Sequence, residues 1–219
     1  LLPLDGEHEG VQFGLHPAMR SLQQRFNAGQ ATMVTNVGPL VEPITRGAME
    51  AGTVTLPLGL FSHSDQILSW QTATPANRAG TGFGGRLIDA LPGTNTGLTL
   101  AGNISLSGNN SFQAGAATGS YAISANRGVQ SISGFDSDLF KRSFESLMVD
   151  ASASTLQTVY RNKIQSAIDA GDVFSSALSQ ATAISTPFAE DSFSSAMKRI
   201  AELASVHEQL GVSRQTFFV

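Results

Sequence analysis

The sequence predicts an α/β protein, on three observations. A helix-like stretch near the start passes directly into a short strand-like one, the arrangement of an α/β unit. The Gly-rich middle holds one alternating apolar segment, "TGLTLAGNISLSGN". The second half carries three apolar stripes at helical spacing, followed by the short apolar run "TFFV". The chain reads as a single domain over 1–219, or as a segment of one larger domain. Residues 1–135 are mixed α/β with long loops, and 136–219 are helical and end in a strand. With 219 residues and 41% hydrophobic content the chain can bury one sizeable core, and its length does not demand a second.

The first helix is predicted within "LHPAMRSLQQRFNAG", where Pro17 suits the first helical position and Gly29 the stop. Leu15, Met19, Leu22 and Phe26 give it an apolar face, and His16 serves its start. "ATMVTNVG", 31–38, is predicted to be a strand. Pro39, Pro43 and Pro57 then break any long element, leaving an irregular connection with one helical turn near Ala48. Helices are predicted over 62–73 and from about Gly85 to Leu91, with Trp70 as a core anchor. Strands are predicted over 98–106 and at "GSYAIS", joined by the polar loop "GNNSFQAGAATG".

Three helices follow. Phe140, Phe144, Leu147 and Met148 form the first stripe. Leu156, Tyr160, Ile164, Ala167 and Ile168 form the second, continued past Gly171 by Val173, Phe174, Ala177 and Leu178. Phe193, Met197, Ile200, Ala204 and His207 form the third, stopped by Gly211, so His207 is expected in the core. "TFFV" is predicted to be a buried parallel strand, because such strands are covered on both faces and consecutive Phe217 and Phe218 each need a core.

Composition excludes several functions. The net charge is −4 and no Lys/Arg block interrupts it, which argues against nucleic acid. No apolar run approaches the roughly 20 residues of a membrane span. With no Cys there are no disulfides, thiolate metal sites or thiol nucleophile. There is no HExxH and no pair of carboxylates at catalytic spacing. His8 lies in an acidic, glycine-flanked stretch suited to solvent.

The richest cluster is "SHSD", residues 62–65. Ser62 and Asp65 match a capping box, in which the hydroxyl accepts a backbone N–H and the acid reaches back. The same position suits chemistry, because a helix N-terminus offers free N–H groups and a positive dipole end to a phosphate, sulfate or alkoxide. Ser62 is therefore a cap, a nucleophile or both, and His63 beside it is a candidate ligand or acid/base group. "TGFGGR", 81–86, is not a phosphate loop; its glycines suit a tight turn and close packing, while Arg86 could clamp an anion. Asn109 and Asn110 suit either a turn or ligand contacts.

Taken together and in order, "FGLHPAMRSL", "NVGPLVEP", "LFSHSDQILSWQT", "TGFGGRL", "NISLSGNNSFQAG" and "LGVSRQTFFV" resemble the DUF1501 family. These bacterial proteins are grouped with the alkaline phosphatase and sulfatase superfamily. The resemblance covers nearly the whole chain, and it is the collinear set that is specific. It implies part of an alkaline-phosphatase-like three-layer sandwich with a mainly parallel sheet. It also implies twin-arginine export to the periplasm or beyond, and metal-dependent hydrolysis of a small anionic phosphate or sulfate ester. In related enzymes the nucleophile opens a helix early in the sheet, and "SHSDQ" holds a comparable place. Ser62 and His63 are then the catalytic candidates, with Asp65, Arg86, Asn109 and Asn110 as substrate contacts.

The chain also departs from the family pattern. It lacks the export signal and the Gly-rich first strand with its Asp-Gly pair, and the "GGFDTH"-like and Asp/His metal motifs would follow Val219. It is therefore expected to be an internal segment, inactive by itself. Any divalent metal is expected in the longer parent, with no ligand assignable here. The alternative is a non-catalytic binding or self-assembling protein that keeps the fold, and a homo-oligomer suits either reading.

Overall fold

The computed structural model describes all residues except 8, 36, 92, 98, 130–136 and 149–153. Among the described residues the fold is mixed α/β, with seven α-helices, a three-stranded parallel sheet and a two-stranded antiparallel ribbon. The chain forms two compact units, Leu1–Gly38 and Pro39–Val219.

In the first unit, β1 (Leu2–Pro3) pairs antiparallel with β2 (Gly14–Leu15), Leu2 opposite Leu15. Pro17 opens a 3-10 turn that runs into α1 (Arg20–Asn27). The His16 ring accepts from the Ala18 N–H at 3.2 Å, so it starts this helix as expected. Gly29 ends it at φ +70°, a conformation that favours glycine. Side-chain amides tie helix to ribbon: Gln23 donates to the Pro3 carbonyl at 2.6 Å, and Asn27 accepts from the Asp5 N–H at 3.1 Å. A cavity of about 550 Å³ in this unit is lined by Leu4, Phe13, Leu15, Phe26, Met33 and Val34, with Asp5 and Glu7. The strand expected at 31–37 does not form in the described residues, although the stretch alternates. Strand geometry persists only where a partner takes up the backbone N–H and C=O groups, and the two ribbon strands pair with each other.

The second unit opens with the irregular, Pro-broken connection and its single turn, α2 (Arg46–Glu50), capped by Thr45. Two helices follow as predicted, α3 (His63–Thr72) and α4 (Phe83–Asp89). The strand expected over 98–106 is shorter. Among its described residues, 99–102 form a 3-10 turn and only β3 (Asn103–Ser105) is extended. β3 is the central strand, flanked by β4 (Tyr121–Ala122) and β5 (Thr216–Phe218), both parallel to it.

Register explains the faces. Ile104 stands opposite Tyr121 on one side and Phe217 on the other, so these three share a face. That face meets α6 (Thr155–Leu178) and α7 (Ser192–Ser205) through Ala170, Phe174, Ala177, Leu203, Val206 and Leu210. Tyr121 stacks on Phe174 at 4.9 Å between ring centroids. Phe218 points the other way and meets Phe112 at 6.0 Å. The two consecutive phenylalanines of the "TFFV" strand therefore do find separate packing partners. Each is half-buried rather than fully covered.

Three expectations about the core are corrected. Trp70 is exposed, not an anchor, because α3 turns Ser69 and Thr72 inward instead. The stripe on α7 is rotated: Phe193, Ala204 and His207 are exposed, while Ala196, Leu203 and Val206 are buried, with Leu210 beyond the helix end. His207 is consequently not a core residue; its ring Nδ1 lies 3.2 Å from the Val212 carbonyl near the surface. The stripe on α6 also fails in its first half, where Leu156 and Tyr160 are exposed; burial begins at Ala170. The first of the three second-half helices is α5 (Asp138–Met148), and its Phe140 and Phe144 rings lie 6.5 Å apart.

Candidate functional site

The candidate residues gather around α3, and the sequence sets where that helix starts. Gly59, at φ +62°, turns the chain, and its missing Cβ leaves the space filled by the Asp65 side chain. Ser62 is the N-cap, extended at φ −98° and ψ 118°, with its Oγ accepting from the Asp65 N–H at 3.4 Å. The Ser64 hydroxyl lies 3.1 Å from the same oxygen. The reciprocal half of the expected capping box is replaced. The Ser62 N–H donates to the Gly59 carbonyl at 2.8 Å, and the Asp65 carboxylate instead takes Arg78, with Nε at 3.0 Å and a terminal nitrogen at 2.9 Å. The Ser62 hydroxyl first, and then the Arg78 guanidinium, hold the Asp65 carboxyl below its ordinary range.

His63 is the first residue of α3 and is exposed. Ser62, His63, Ser64, Asp65 and Arg78 thus form one group at the N-terminal end of this helix. It can bind an anion through free N–H groups, hydroxyls and a ring nitrogen. It is poorly set for activating a serine. Asp65 is the carboxylate in reach of Ser62, and a carboxyl held ionised is a weak proton acceptor.

Arg86 lies elsewhere. It projects from α4 and donates to the carbonyls of Thr72 at 2.5 Å and Thr81 at 2.8 Å. Thr72 is the last residue of α3, where the helix dipole favours a cation. At 1.5 Å rise per residue, Thr72 stands about 15 Å from Ser62. Arg86 therefore holds the far end of α3 and does not join the Ser62 group.

Asn110 is also committed. Its Oδ1 accepts from the Gln113 N–H at 2.9 Å, and its Nδ2 donates to the Gln113 Oε1 at 3.1 Å. Asn109 is exposed in the same turn. This turn is joined to α3 at Gln71, whose Oε1 accepts from the N–H groups of Ser111 at 2.8 Å and Phe112 at 3.2 Å. Structure thus brings Ser62, His63 and Asp65 together, and sets Arg86 and Asn110 toward the other end of the helix.

Two residues matter more than the sequence suggested. Gln113 is fully buried; its Nε2 donates to the Ile104 carbonyl at 2.9 Å and to the Thr216 carbonyl at 3.0 Å, linking β3 and β5 to the 106–118 loop. Asp89, at the end of α4, accepts from the Thr118 hydroxyl at 2.7 Å and from the N–H groups of Ala116 at 2.6 Å and Thr118 at 2.9 Å. The Thr118 hydroxyl is the largest influence lowering its carboxyl below the ordinary range, followed among the favourable ones by the Ala116 N–H. The signal available was a Gly/Ala loop lacking side-chain donors, which needs an acceptor from outside to fix its N–H groups.

The resemblance implies a divalent metal, and the described residues do not fit one. No three His, Asp or Glu side chains converge among them. The acids placed to help are engaged: Asp65 by Arg78, Asp89 by the 116–118 loop, and Asp191 as the cap of α7, where it accepts from Ser194. No helix among the described residues is long and apolar enough to cross a membrane. Comparison with protein-family models, with curated proteins and with solved structures returns no match for this chain.

Proposed function

We propose that this chain is an exported DUF1501-type protein of the alkaline phosphatase superfamily, acting in the periplasm or beyond, and that it holds a small phosphate or sulfate ester at the start of α3. The fold assigned with it is a partial alkaline-phosphatase-like three-layer sandwich. The observation that carries the reading is the Ser62-capped end of α3, where His63 is exposed and the Ser64 hydroxyl stands beside Ser62. Free N–H groups and the positive end of the helix dipole favour an anion there. Arg78 offsets the Asp65 charge that would otherwise repel it.

In this reading Ser62 is an anion holder more than a nucleophile, and His63 is a contact through its ring N–H. The parallel β4–β3–β5 sheet with helices against it is compatible with the superfamily's architecture. Calorimetric titration of the chain with inorganic phosphate, sulfate and an aryl phosphate tests the proposal. Binding should weaken about tenfold in His63→Ala. Affinity unchanged in both Ser62→Ala and His63→Ala would remove the anion site. Release of phenolate from an aryl phosphate by the chain without added metal, abolished in Ser62→Ala, would instead make Ser62 a nucleophile.

A further inference from the structure

The first unit holds a cavity of its own. Its volume of about 550 Å³ falls in the roughly 300–1,000 Å³ range of small-molecule sites. Four pieces of chain build it: the β1–β2 ribbon, the turn at residues 5–7, α1, and the stretch 32–35. Leu4 is 5% exposed, and Leu15 and Phe26 are half-buried, so these three form the floor. Asp5 and Glu7 line the same cavity and are exposed, which places them at its mouth. The depth is apolar and the rim is acidic.

The rim is anchored to the floor. Gly6 bends the chain at φ +90°, and the Asp5 N–H donates at 3.1 Å to Asn27, the last residue of α1. The helix that supplies Phe26 to the floor therefore also holds the acidic turn. None of the described residues lining the cavity is basic, and among the described residues neither Asp5 nor Glu7 takes part in an ion pair. Charge of one sign at the mouth of a cleft with low-dielectric walls focuses the field there, so it draws in a cation and turns away an anion.

We infer that this cavity binds a small organic cation of the alkylammonium class, with its apolar body against Leu4, Leu15 and Phe26 and its ammonium group at Asp5 and Glu7. Both halves of the site select this occupant. The floor takes hydrocarbon out of water, and the rim sets the sign of the head group. An inorganic cation gains nothing from the floor, and a carboxylate or phosphate on the same body meets repulsion at the rim. The inference is independent of any ligand at Ser62, which belongs to the other unit and favours the opposite charge.

Calorimetric titration of the full chain with n-octylammonium, octan-1-ol and n-octanoate tests it, because the three share one tail and differ in head-group charge. Octylammonium should bind about tenfold more tightly than octanol, and octanoate should bind most weakly. Asp5→Asn and Glu7→Gln together should remove that preference, weakening octylammonium about tenfold and leaving octanol unchanged. Both positions are exposed, so the circular dichroism spectrum of this variant should match that of the parent. Met33 also lines the cavity, and Met33→Trp should weaken octylammonium and octanol alike by filling it. Ser62→Ala and His63→Ala should leave octylammonium binding as it is, so that failure of the anion site and failure of this one read separately. Binding of none of the three compounds, equal affinity for all of them, a preference that survives the double substitution, or octylammonium affinity untouched by Met33→Trp would each overturn the inference.

Discussion

Asp89 shows how one side chain can organise a loop that has little chemistry of its own. Residues 114–117 read "AGAA", and the fold supplies their missing acceptor from the end of α4. Because the native environment lowers the Asp89 pKa below its ordinary 3.8, the ionised form favours folding. That contribution is fully present above the ordinary value and is lost as pH falls through the lower folded one. Asp65 and Asp191 are shifted in the same direction. The melting temperature of the protein should therefore fall as pH drops below about 4. Asp89→Asn should be less stable at neutral pH and show a shallower acid limb; identical limbs in thermal melts of the two proteins would mean that the loop does not depend on this charge. Ser62→Ala should cost about 1 kcal/mol through loss of the cap, read by denaturant unfolding, whether or not an anion binds.

Among the elements, α4 is held by the absence of side chains. Gly82, Gly84 and Gly85 face the 111–115 loop so closely that added methyl groups would overlap Phe112 or the backbone of Ser111, Ala114 and Gly115. The Gly82 N–H reaches the Ala114 carbonyl at 2.7 Å, and the Gly85 N–H the Phe112 carbonyl at 3.0 Å. Gly85→Ala should cost about 1–3 kcal/mol by overpacking, despite alanine's better helix propensity. Gly47 in α2 is surrounded by open space, with nothing within 4 Å of where a methyl group would stand, and Gly47→Ala should be stabilising by up to about 1 kcal/mol. Denaturant midpoints of opposite sign for the two variants check the contrast. The sequence predicted a tight turn and close packing at "TGFGGR"; in the fold Gly82 caps α4 and Gly84 and Gly85 lie within it. Elsewhere the helical period was legible and its phase was not. In α7 two stripes overlap, and the large Phe193 and Met197 suggested the wrong one. The helix buries Ala196 and Leu203 instead, and Leu203 joins the core cluster with Ile104 of β3. The stretch 31–37 misled in the opposite way: its alternation is that of a strand, but strand formation depends on a partner that local sequence does not encode.

For the molecule as a whole, the best-ordered chemistry is structural. Gln113, Asn103 and Thr216 satisfy one another beneath the sheet; the Thr216 hydroxyl donates to Asn103 at 2.6 Å, and no buried side-chain polar atom among the described residues lacks a partner. The candidate site was only partly legible. The "SHSD" cluster was found as a helix start, but the distance between Ser62 and Arg86 depends on which end of α3 each one meets, and spacing in the chain carries no such information. The apolar core behind the sheet centres on the fully buried Phe174, stacked on Tyr121. Phe174→Ala should cost about 3–5 kcal/mol in denaturant unfolding, and a smaller loss would mean that the cavity collapses.

The pairing of β3 with β5 has a consequence in time. Asn103 and Thr216 are neighbours in the sheet but 113 positions apart along the chain, whereas β3 and β4 are separated only by residues 106–120. Closing a loop of that length carries an entropic penalty before any contact is gained, and such distant pairings fold slowly. During synthesis β3 can meet β4 early, but its other edge must stay unpaired while α5, α6 and α7 are made. An unpaired apolar edge is a template for joining the wrong strand. In refolding, protection of the Phe218-bonded Leu106 amide from hydrogen exchange should appear later than protection of the Ile123 amide, which bonds to Ser105 across the nearer pair. The last three residues of that sheet therefore set the moment at which the central strand stops being exposed to other chains.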